Sequence, residues 1–160
     1  MCTGRFDLAL ESFHKGFPDL LVSQNLYGLT LAYTLRIEEA YSILFKLVKD
    51  DPKNYWFQMV YGLVSELKGQ TSELLSSLQD PAFNTWASRD FSYSYYMADI
   101  YALLGEKEKA FEWVEHAVSI GYINYPFLNI YDPFLANIRG EESFRKLMER
   151  VKYEWEHFEV

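Results

Sequence analysis

The chain has 160 residues, 49% of them hydrophobic, with 13 Tyr and 12 Phe but only 8 Gly and 5 Pro. That length fits one domain with a sizeable core, the apolar fraction excludes disorder, and scarce Gly and Pro argue against a turn-rich all-β fold. A net charge of −8 repels nucleic acid, and the single Cys2 excludes an internal disulfide and a cysteine-based metal site.

Helical periodicity and punctuation divide the chain into five stretches. Residues 6–17 read as one helix, half of a helix pair: Leu10 and Phe13 precede Leu44 and Leu47 by 34 residues. Residues 21–52 read as a complete pair. Gly28 and Ala40 are small where two helices must approach closely, Leu44 fills the space beneath, and Pro52 stands where a next helix starts and a missing N–H costs nothing. Pro18 and Pro52 are again 34 residues apart.

Residues 55–80 read as a degraded pair. Gly62 and Gly69 mark a close approach and a turn, but Leu74 replaces the expected Ala. Its second helix is expected to be short and to end near Leu78, with a loop or brief turn over 79–89. Residues 91–122 read as a second complete pair, with Ala98 as the small residue, Tyr101 as the aromatic and Gly105 as the stop. Its second helix carries Ala110, Phe111, Val114, Ala117 and Val118 at helical spacing. The pairs start at 21, 55 and 91, so the spacing is 34 and then 36.

Residues 123–160 read as a cap. Asp132 and Pro133 open a short helix as N-cap and first residue, and Arg139-Gly140 closes it. A final amphipathic helix is expected over Glu141 to Phe158, with Phe144, Leu147, Met148, Val151 and Trp155 along one face. Its basic residues Arg145, Lys146, Arg150 and Lys152 interleave with Glu141, Glu142, Glu149, Glu154 and Glu156, the pattern of a solvated face with ion pairs one turn apart.

Over roughly residues 6–122 these features resemble the tetratricopeptide repeat family, whose period is about 34 residues. The segments Asp132–Arg139 and Phe144–Leu147 resemble the closing segment of a bacterial subgroup. There, such repeats end multidomain signalling proteins that also carry serine/threonine kinase, nucleotide cyclase or winged-helix DNA-binding domains. None of those catalytic domains is in this chain, so their activities are not carried over. The resemblance implies an all-α fold of antiparallel helix pairs in a right-handed superhelix with a C-terminal capping helix. The first helix of each pair would line a concave face. In that register Val22, Asn25, Leu29 and Tyr33 face the groove from the first pair, Trp56, Met59, Leu63 and Glu66 from the second, and Tyr95 and Asp99 from the third. Some family members clamp a peptide's terminal carboxylate with Lys, Asn and Arg. Of the matching positions Asn25, Leu29, Val60, Ser92 and Tyr96, only Asn25 agrees, which disfavours that ligand class.

Signals for chemistry are weak beside this. His14, His116 and His157 lack the spacing for metal ligation on a helix. There is no Gly-x-Ser-x-Gly elbow and no Gly-rich phosphate loop. Glu38, Glu39, Glu106, Glu108, Glu112 and Glu115 are read as dipole-complementing or solvated acids. Phe91, Tyr93, Tyr95 and Tyr96 cannot all share one buried face, so some are expected in a groove or against a neighbour; Tyr95 and Trp56 divide evenly between groove and core.

The expectation is a single non-catalytic domain without cofactor or metal that binds a protein or peptide segment. It would be the regulatory part of a larger bacterial protein. No basic-plus-apolar leader opens the sequence and no apolar run is long enough for a membrane span, so neither membrane nor nucleic acid is an expected partner, and a reducing cytoplasm is the expected setting. Two alternatives stay open: a sensor of a small ligand acting on an attached domain, and self-association as a homodimer through the ends of the array.

Overall fold

The computed structural model describes residues 4–16, 19–70 and 78–158, with only the backbone for His14. All regular structure among these residues is helical, without strands. By internal contacts the chain divides into two compact units, whose main bodies are Arg5–Asn84 and Thr85–Val160.

The first unit contains α1 (Phe6–Lys15), α2 (Leu21–Tyr33), α3 (Ile37–Asp50) and α4 (Tyr55–Leu67). Each helix packs on the next, and α2 also touches α4. Leu10 of α1 is buried and Phe6 stacks on Tyr33 of α2 at 5.8 Å between ring centres. The close approach of α2 and α3 is where Gly28 and Ala40 place it. A β-carbon built on Gly28 would lie 2.8 Å from Cγ and Cδ2 of Leu44, which is fully buried. Tyr41 and Tyr61 tie α3 to α4 through their hydroxyls at 2.9 Å. Lys68 pairs with Glu38 at 2.7 Å while lying 4.1 Å from the centre of the Tyr41 ring.

A fifth helix, α5 (Pro81–Ala87), stands where a loop or brief turn is expected over 79–89. Asp80 caps it by accepting from the Ala82 N–H at 2.9 Å, with Pro81 at the first helical position. Residues 71–77, including Leu74 and most of the short second helix expected there, lie outside the described residues.

The second unit contains α6 (Phe91–Leu103), α7 (Lys107–Ser119), a π-helical turn (Phe127–Tyr131), a 3-10 turn (Phe134–Asn137) and α8 (Glu142–Glu156). Asp90 caps α6 through the Ser92 and Tyr93 N–H groups, and Asn54 caps α4 in the same way through Trp56 and Phe57. Asn137 donates to the Ala102 carbonyl at 2.6 Å, fastening the 3-10 turn to α6. On α8, Phe144, Leu147, Met148 and Val151 are buried as expected. Trp155 departs from that face and is 45% exposed, along with Tyr153 beside it.

Helices α2, α4 and α6 begin at residues 21, 55 and 91 and end in the same backbone motif. After α4, Gly69 (φ +73°) donates to the Glu66 carbonyl at 2.8 Å and Gln70 reaches back to Ser65 at 2.8 Å. After α6, Gly105 (φ +77°) donates to Ala102 at 3.0 Å and Glu106 to Tyr101 at 2.9 Å. After α2 the same two bonds run from Leu35 to Ala32 and from Arg36 to Leu31, each 2.9 Å. Leu35 thus holds a left-handed backbone (φ +58°) that glycine adopts without strain, while its side chain is 65% exposed. Leu35→Gly is therefore expected to stabilise the first unit by about 0.5–1 kcal/mol, the relieved strain exceeding the added freedom of the unfolded chain. Urea unfolding checks it, and a loss of stability would contradict the strain at Leu35.

Candidate interaction groove

The residues expected to face a binding groove come together by unit. Asn25, Leu29 and Tyr33 share one face of α2, and Trp56, Met59, Leu63 and Glu66 share one face of α4, which packs against α2. Tyr95 and Asp99 lie one turn apart on α6. Asn25, Leu29, Tyr33, Met59, Leu63, Tyr95 and Asp99 are all buried, whereas Trp56 and Glu66 are partly exposed and Val22 is exposed. Tyr95 is packed among aromatics: it stacks on Tyr122 at 4.5 Å and meets the edge of Phe127 at 5.8 Å. Of its aromatic neighbours in sequence, Phe91 is exposed, Tyr93 half-buried and Tyr96 buried. The physical reason is composition: a face carrying Leu, Met and Tyr gains more from packing than from facing water.

Within each unit these helix faces also hold polar atoms without partners among the described residues. Both amide atoms of the Asn25 side chain, the Tyr95 hydroxyl and Glu66 Oε2 are buried with no hydrogen bond among the described residues. Such groups are costly and uncommon in native interiors.

In the second unit a polar cluster gathers around the two turns after α7. Asp132 is fully buried. Its Oδ1 accepts from the Phe134 N–H at 2.7 Å, so it caps the 3-10 turn, while Oδ2 has no hydrogen bond among the described residues. Arg139 donates to the backbone carbonyls of Leu128 (3.3 Å) and Asp132. Burial pushes the Asp132 carboxyl up to about 7, against the pull of the Phe134 N–H and the Arg139 charge. Burial likewise lowers the Arg139 guanidinium, and the carboxylates of Asp132 and Asp99 oppose that.

An accessible recess of this unit is a groove between α7 and α8. Its main cleft holds about 490 Å³, with Phe111, Ile138 and Phe144 as an apolar floor. An adjoining cleft of about 290 Å³ continues it along Leu147 and shares Phe111, Glu115 and Ser143. Phe111 belongs to the apolar period of α7, yet unlike Ala110, Val114, Ala117 and Val118 it is only half-buried. Glu108, Glu112 and Glu115 rise on the α7 side at successive turns, and none forms an ion pair among the described residues. The bases lining the groove are already committed: Lys107 to Glu141 at 2.6 Å, Lys146 to Glu142 at 2.6 Å and Arg150 to Glu154 at 3.7 Å. The uncompensated charge is therefore the row of three carboxylates. Sequence periodicity marked Phe111 as apolar and these acids as solvated, but nothing in it joined them into one groove.

No three or more His, Cys, Asp and Glu residues among those described are grouped to hold a metal ion. No helix among them is long and apolar enough to cross a membrane. The described residues thus define an all-helical protein with an acid-walled apolar groove. No protein-family model matches the chain, and neither a curated protein nor a solved structure matches it.

Proposed function

We propose that this chain is a non-catalytic binding module built of tetratricopeptide-like helix pairs in a right-handed superhelix. It takes a protein or peptide segment with apolar anchors flanked by Lys or Arg. The observation that carries the reading is the groove between α7 and α8, where an apolar floor adjoins three carboxylates that form no ion pair among the described residues. A helix laid into such a groove buries an apolar ridge and offers its basic flank to the acids. The shared helix ends at Leu35, Gly69 and Gly105 support the repeat reading. The resemblance of the closing segment to bacterial signalling proteins supports a regulatory role beside further domains.

The test is an amphipathic helical peptide with Leu on one face and Lys flanking it, titrated by fluorescence anisotropy. Glu112→Lys with Glu115→Lys is expected to weaken binding about tenfold or more, and Trp56→Ala to change it by less than about twofold. Equal binding by the charge-reversed variant, or loss on Trp56→Ala alone, overturns the assignment to this groove.

A further inference from the structure

The first unit holds a second recess of different chemistry. Helices α1, α2 and α3 converge on a cleft of about 360 Å³, within the size range of small-molecule sites. Phe13, Tyr27 and Ile43, one from each helix and each only half-buried, form its apolar lining. Ser23 and Gln24 add hydrogen-bonding groups, the Ser42 hydroxyl already donates to the Glu38 carbonyl at 2.9 Å, and the exposed Lys46 supplies an ammonium. The chain has 23 acidic residues against 15 basic ones, yet no acid among the described residues lines this cleft. Lys46 forms no ion pair among the described residues, whereas Arg36 and Lys68 of the same unit are paired with Glu39 and Glu38. A small apolar recess lined by a single cation that forms no ion pair among the described residues, in a protein of net charge −8, selects against cations and neutral polar molecules alike.

We propose that this cleft binds a small amphipathic monocarboxylate. Its hydrocarbon body would lie over Phe13, Tyr27 and Ile43, and its carboxylate would pair with Lys46, supported by the Ser23 hydroxyl. Transfer of the chain out of water drives binding, and the ammonium sets the orientation and the preference for an anion. This site is separate from the α7–α8 groove, so its test and that of the proposed function succeed or fail independently.

The experiment is an NMR titration of the full chain with octanoate and with octanamide, its neutral counterpart. Octanoate is expected to shift backbone amides of α2 and α3 around residues 23–27 and 42–46, with saturation, and octanamide to bind about tenfold more weakly. Lys46→Gln, at an exposed position that leaves the fold intact, should weaken octanoate about tenfold and leave octanamide within about twofold. Ile43→Trp, which fills the cleft, should abolish both, with far-UV circular dichroism confirming the helices. Equal affinity for the two ligands, indifference to Lys46→Gln, or shifts scattered over other helices would overturn the proposal. So would ligand-independent self-association of the chain through this face, read by light scattering.

Discussion

Leu44→Ala is expected to cost the first unit about 3 kcal/mol, and adding Gly28→Ala to that variant is expected to return about 1 kcal/mol of it. Leu44 is fully buried, so truncation loses transfer free energy and leaves a cavity. In the parent chain Gly28→Ala gains about 1 kcal/mol of helix propensity, but its β-carbon would arrive 2.8 Å from Leu44 Cγ and Cδ2. Relieving such overpacking in a filled interior costs about 1–3 kcal/mol, so the single change is a net loss. Once Leu44 is Ala the obstructing atoms are gone, the new methyl fills part of the cavity, and the propensity gain is kept. Urea unfolding of the four chains in a double-mutant cycle should give a favourable coupling of about 2 kcal/mol. Additive losses would mean that α2 and α3 do not meet at Gly28 and Leu44.

Asp132→Asn is expected to stabilise the second unit at pH 8 by about 2–4 kcal/mol and to be nearly neutral at pH 4. The folded-state value of Asp132 is raised from 3.8 to about 7, so the folded state favours the protonated carboxyl. The group imposes no ionisation cost below the unfolded value. As pH rises from about 4 to 7 the unfolded chain ionises first and stability falls, reaching its lower plateau above about 7. At about 1.4 kcal/mol per pH unit of displacement the ceiling is about 4 kcal/mol. That displacement is already net of the attraction between the Asp132 carboxylate and Arg139. Asn keeps an oxygen for the Phe134 N–H, so the cap survives. Glu141, held below the usual carboxylate range by Lys107, acts in the opposite sense, contributing stability that is lost in more acidic solution. Urea midpoints of both chains across pH 4–8 give the difference; a parallel pH dependence would exclude Asp132 as its source.

Some features of this protein were decided by local sequence alone. Gly28, Ala40 and Leu44 announced the contact of α2 with α3, because only small residues admit a close helix approach. Gly69 and Gly105 announced helix ends, because a left-handed residue is cheapest as glycine. Asp132 and Pro133 announced their turn through cap chemistry, and Asp80 and Pro81 carry the same signal at the start of α5. Leu35 was illegible, since its left-handed backbone contradicts residue preference and is held by the bonds around it. The π-helical turn at Phe127–Tyr131 has no readable period either.

What only the tertiary structure decided is which side of each helix meets protein and which meets water. A period of 3.6 groups Asn25 with Leu29 and Tyr33, or Phe111 with Val114 and Val118, but assigns no neighbour to the group. Packing buried Asn25, Tyr95 and Asp99 and left Phe111 and Trp155 partly open, although all follow the helical period equally well. The acid-walled groove exists because α7 and α8, far apart in sequence through two irregular turns, meet only along part of their length. Charge at Glu108, Glu112 and Glu115 is plain in the sequence; that it meets no cation in an ion pair among the described residues depends on where the Lys and Arg side chains end up, which is a property of the folded chain.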